Sequence, residues 1–108
     1  MTPFVTSFLL TALVVQSQAA DSLRLLALRL PASSLVAEAK ARPLAVREAV
    51  AEALARNELV VARRLAAAHA VAWRDSFLVR EVARFASWPP TRRAAKVRAD
   101  SLRRVGIV

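Results

Sequence analysis

Cysteine and tyrosine are both missing from the 108 residues, and glycine and histidine occur once each. Without cysteine there is no disulfide scaffold, no thiol nucleophile and no cysteine-based zinc site. One imidazole, His69, cannot build a multi-histidine metal site. One glycine, Gly106, leaves too few turn residues for an all-β meander and none for a glycine-rich phosphate loop. Lysine is nearly absent as well, two residues against fifteen arginines. Alanine (24), leucine (15) and arginine (15) fill half of the positions, and all three are strong helix formers. The expectation is an all-α chain of four to six short helices in an antiparallel, solenoid-like stack. No cofactor and no catalytic residue are expected.

Residues 1–20 carry no charged side chain, so the net charge of +9 belongs to the remainder. The apolar run from Phe4 to Val15 has the length of an export-signal h-region and is short of the ~18–20 residues that span a bilayer. Ser17 and Ala19 provide small residues at the −3 and −1 positions, which places cleavage between Ala19 and Ala20. The n-region has no lysine or arginine. A cleaved export signal, giving a periplasmic or extracellular protein, stands beside two alternatives: a retained membrane anchor and an ordinary core helix.

Prolines divide the rest, because a proline cannot sit inside a helix without breaking or kinking it. Asp21 or Ser22 caps a short helix with Leu23, Leu26, Ala27 and Leu30 on one face; Leu23 and Leu25 about Arg24 also admit a short strand. Ser33 or Ser34 caps a segment over 35–41, and Pro43 opens the next helix, which runs to Arg56 with Asn57 as its stop. Residues 58–74 carry a broad apolar arc that includes Leu65 and Trp73. The Asn57–Glu58 connection is so short that helices 44–56 and 58–74 form a tight pair or one kinked rod. Asp75 or Ser76 starts a helix to Ser87 with Leu78, Val82, Phe85 and Ala86 inward. Phe77 falls on the polar side, so it closes over a neighbouring helix or awaits a partner. After Trp88-Pro89-Pro90, a basic segment over 92–105 presents a weak apolar face of Ala94, Ala95, Ala99, Leu102 and Val105. The expected organisation is a signal over 1–19, a helical domain over 20–88, and a basic helix over 89–108 that begins a further unit.

The closing residues Ala99-Asp100-Ser101-Leu102-Arg103-Arg104-Val105-Gly106 resemble the first helix of a tetratricopeptide repeat, with Val105-Gly106 as the apolar–small pair that lets a second helix pack closely. Counting back the roughly 34 residues of that repeat reaches Val71-Ala72, whose surroundings do not repeat the pattern. More broadly, residues 62–106 resemble the helical flank that precedes such repeats in large exported bacterial proteins, some with a CHAT peptidase-like domain further on. The Cys/His dyad of such a domain is absent here, so the resemblance implies a scaffold and no activity.

His69 lies amid the apolar arc of its helix with no carboxylate one turn away, which points to packing or a backbone hydrogen bond and not to a ligand. Residues 82–108 carry net +6, against +3 for 21–81. Arg92, Lys96, Arg103 and Arg104, with Phe77, are therefore the candidate partner-contacting residues. The chain reads as a non-catalytic scaffold or protein–protein interaction segment. The alternative is a basic module for nucleic acid or an anionic membrane surface, which would need just such a ridge of cations.

Overall fold

The computed structural model describes residues 18–104, and every regular element among them is helical. Six helices follow in order: α1 (18–26), α2 (Ala32–Ala41), α3 (Pro43–Ala55), α4 (Leu59–Trp73), α5 (Phe77–Ser87) and α6 (Pro90–Arg104). The expected run over 4–15 and the Val105-Gly106 pair lie outside the described residues. Residues 23–26 are helix, not strand. Asp21 and Ser22 sit within α1 and do not cap it. Pro31 precedes the first residue of α2, so Ser33 and Ser34 fall in its first turn. A proline adopts the extended backbone of a helix entry without needing its missing N–H, which is why the helix starts earlier than the serines suggest.

Two residues with positive φ end helices. At Asn57 (φ 58°) the Glu58 N–H donates to the Ala53 carbonyl and the Asn57 N–H to the Leu54 carbonyl, a Schellman closure of α3. Arg74 (φ 52°) closes α4 in the same left-handed region, where an L-residue crowds its own Cβ. Asp75 Oδ1 accepts from the Phe77 N–H at 2.9 Å and opens α5; the Ser76 hydroxyl makes no cap bond.

The core joins Leu23, Leu35, Val46, Val50, Leu65 and Val82, each under 3 % exposed, with alanines filling the space between them. Small side chains allow close approach, and α4 is accordingly packed against α2, α3 and α5. Its neighbours stand in a constant register. Arg24 bonds to Glu58, Arg64 to the Leu30 carbonyl, and Trp73 to the Ala39 carbonyl, each pair 34 residues apart in sequence. The segment 24–41 therefore lies alongside 58–73 in the same direction.

Helix α6 is different. It meets α3 over a short stretch and is otherwise thinly held. Of the weak apolar face expected for it, Ala94, Ala95 and Leu102 are exposed, Ala99 is half-buried and Val105 lies outside the described residues; Arg93, Lys96, Val97 and Asp100 are half-buried. Alanines gain little from burial, so the single valine and the polar pairs decide the rotation of the helix.

Candidate functional site: a groove between α3, α5 and α6

The two helices α3 and α5 each present a stripe at helical spacing. On α3 it is Arg47, Val50, Ala51 and Leu54; on α5 it is Phe77, Leu78, Glu81 and Phe85. Helix α6 lies beside them, joined to the end of α3 by the Arg93–Asn57 hydrogen bond at 3.0 Å, and its Val97 lines two cavities. One, about 180 Å³, is bounded by these stripes and by Trp88, Lys96 and Asp100. The second, about 440 Å³ and more open, lies between Leu54, Phe85, Pro90, Arg93 and Ala94.

The smaller cavity has an apolar floor and a charged rim. Glu81 pairs with Arg84 at 3.4 Å, and Lys96 pairs with Asp100 at 2.8 Å. Arg47, exposed on the rim, makes no hydrogen bond or ion pair with any described residue. Phe77 is 48 % exposed and lines the cavity. Its place on the polar side of α5 thus turns it to the groove mouth and not to a neighbouring helix.

The other expected contact residues divide. Arg92 is exposed and stacks over Trp88, its guanidinium carbon 4.5 Å from the ring centroid. Trp88 in turn leans on Phe85 at 6.1 Å, so an aromatic does interleave with the basic segment. Lys96 is bound to its own helix through Asp100, as an i,i+4 pair. Arg103 and Arg104 belong to the last turn of α6, and their side chains lie outside the described residues. Ala19 and Ala20 both lie in α1, with Ala20 buried in the core. Arg47 was not singled out from the sequence. Its helix offered the pattern Val46, Ala49, Val50 as core, and only the placement of α5 and α6 shows that an arginine beside that face borders a cavity.

His69 is 4 % exposed, and its Nδ1 finds no hydrogen-bond partner among the described residues. No backbone carbonyl of a described residue takes up that nitrogen. Among the described residues no group of histidine and carboxylates could hold a metal ion, and no helix is long and apolar enough to cross a membrane. No family model, curated protein or solved structure matches the chain.

Proposed function

We propose that this chain is a non-enzymatic helical-repeat scaffold that holds a segment of another protein, and that it is exported as the N-terminal part of a larger one. The 34-residue register carries the reading. A stack of helical hairpins places each first helix alongside the first helix of the preceding unit, one repeat length away. For tetratricopeptide repeats that length is about 34 residues. Of the four hydrogen bonds between 24–39 and 58–73, three have this separation and the fourth, Arg64 to the Ala27 carbonyl, spans 37 residues, although the two stretches share little sequence. The export proposal draws on the onset of charge at Asp21 and on the core: cleavage between Ala19 and Ala20 removes no described core residue.

A repeat unit is tested by duplicating it. A chain with a second copy of residues 58–91 inserted after Thr91 should unfold at higher denaturant with a larger m-value, because repeat stabilities and interfaces sum. An inserted copy that stays protease-sensitive while the parent remains folded refutes the repeat. Export is checked separately by N-terminal sequencing after secretion from a bacterium, where Ala20 is the expected first residue.

A second reading, a binder of nucleic acid or anionic surfaces, is favoured by Arg63, Arg80 and Arg98, which are exposed and make no ion pair with a described residue. Binding of a fluorescent DNA duplex that weakens steeply with salt would establish it; the scaffold binds little at any salt.

A further inference from the structure

We infer that the groove between α3, α5 and α6 receives an acidic segment of a partner protein: one bulky apolar side chain enters the cavity beside Phe77, and a neighbouring carboxylate pairs with Arg47. This rests on the interaction-scaffold reading and names its occupant.

Size decides the kind of ligand. Pockets for small molecules run to about 300–1,000 Å³, whereas an apolar cavity of about 150 Å³ takes a benzene ring. At about 180 Å³ the cavity beside Phe77 matches one phenyl or isobutyl group, whereas the more open cavity of about 440 Å³ lies away from Phe77 and Arg47. Its floor of Val50, Leu54, Leu78 and Phe85 offers no unpaired polar group to such a side chain. Phe77 at the mouth exposes half its surface, and an entering ring would cover it.

Charge decides the flank. Of the cations on the rim of the cavity beside Phe77, Arg84 and Lys96 already have carboxylates at 3.4 and 2.8 Å, so these pairs present no net charge. Arg47 alone remains, exposed and without an anion among the described residues. The free rim is therefore positive, and the chain as a whole carries +9. A second copy would bring +9 against +9, and like charges disfavour that encounter. An acidic segment is steered in, and its carboxylate completes the row of ion pairs. Helix α6 meets α3 over a short stretch and holds Asn57 through Arg93, so the groove can widen around the entering side chain without unpacking α4.

The test uses the full chain, labelled with nitrogen-15, and three capped hexapeptides: EELFEE, KKLFKK and EEAAEE. Millimolar EELFEE should shift the Trp88 indole and the amides of Val50, Phe77 and Glu81, whereas the other two should leave them in place. Arg47→Glu and, separately, Phe77→Ser should each weaken the shifts about tenfold, while circular dichroism shows both variants folded as the parent. Several results overturn the inference: equal binding of KKLFKK, which makes charge irrelevant; binding that Arg47→Glu leaves intact; equal binding of EEAAEE; groove shifts that track protein concentration without peptide, which assign the site to a second copy; or no groove shift with any peptide. If shifts appear only with a small anionic amphiphile such as anilinonaphthalene sulfonate, the site belongs to a small molecule and the inference also fails. Each failure leaves the repeat reading to stand or fall on the duplicated chain.

Discussion

The Trp73 indole Nε1–H donates to the carbonyl of Ala39 at 2.9 Å, and that carbonyl is the one Pro43 leaves without a helical partner. In a continuing helix, residue 43 would donate to residue 39; a proline has no N–H to give. The same device recurs twelve residues earlier. Pro31 cannot donate to the Ala27 carbonyl, and Arg64 supplies Nη1 to it and Nη2 to the Leu30 carbonyl, the latter at 2.8 Å. Two prolines break the segment 24–55, and two side chains of α4 satisfy the carbonyls that the breaks expose. The register of α4 against α1 and α2 is thereby pinned at both ends.

Removing either donor should cost more than its packing. Trp73→Phe keeps most of the ring and is expected to destabilise by about 1–2 kcal/mol, since it leaves the Ala39 carbonyl without a partner. Arg64→Met, which keeps the aliphatic stem, should cost about 1–3 kcal/mol for the two carbonyls. Urea unfolding followed by circular dichroism measures both. If Pro43→Ala, which restores the backbone donor, does not reduce the cost of Trp73→Phe, the orphan-carbonyl account is wrong.

Arg24 is the most enclosed cation of the described residues with an ion pair, its side chain 11 % exposed and held by Glu58 at 3.0 Å and Asp21 at 2.8 Å. The hydrogen bond to Glu58 is the main reason its pKa rises above the ordinary arginine value, against the opposing effect of burial. A raised folded-state pKa means that the stabilisation is complete below the ordinary value and is lost only as pH climbs through the folded one. Arg24 thus adds no step to stability near neutrality. Glu58→Gln should cost about 1–3 kcal/mol and more than Arg24→Met, because it leaves a mostly buried guanidinium with Asp21 as its one carboxylate, whereas the methionine variant removes the charge. The reverse order in denaturant midpoints would contradict this.

His69 buries an imidazole whose Nδ1 has no partner among the described residues. A buried polar atom in that state is a cost of about 1–3 kcal/mol, and leucine fills nearly the same space on an apolar helix face. His69→Leu is expected to raise the thermal midpoint by about 4–8 °C per kcal/mol gained. A lowered midpoint would show that the imidazole holds a bond that matters.

Helix α6 should open more readily than α4. It is thinly held, lines two cavities through Val97, and exposes Ala94, Ala95 and Leu102. In native-state hydrogen exchange, amides over 94–104 should exchange by local opening well before those of Val61 to His69. Equal protection of the two helices would refute the loose seating that the groove relies on. Binding of EELFEE should bring the α6 amides closer to those of α4.

Local chemistry was enough to read much of this chain. Helix formers and the spacing of Val46, Ala49, Val50 and Ala53, or of Leu78, Val82 and Phe85, determined which segments are helical and which of their faces are buried, because amphipathic period and burial are one constraint. Asn57 as the stop of α3 and Asp75 as the opening of α5 were legible for the same local reason: each acts through bonds to residues within a turn of itself. What lies between helices was not. Pro31 and Pro43 announced breaks, but not that Arg64 and Trp73 would satisfy them, since a carbonyl orphaned by proline accepts from whatever donor the fold brings within reach. The weak face of α6 misled because five small or isolated apolar residues carry too little burial energy to set a helix's rotation. The paired or unpaired state of Arg47, Arg84 and Lys96, on which the groove's charge depends, is a property of distances across three helices, and only tertiary packing sets those.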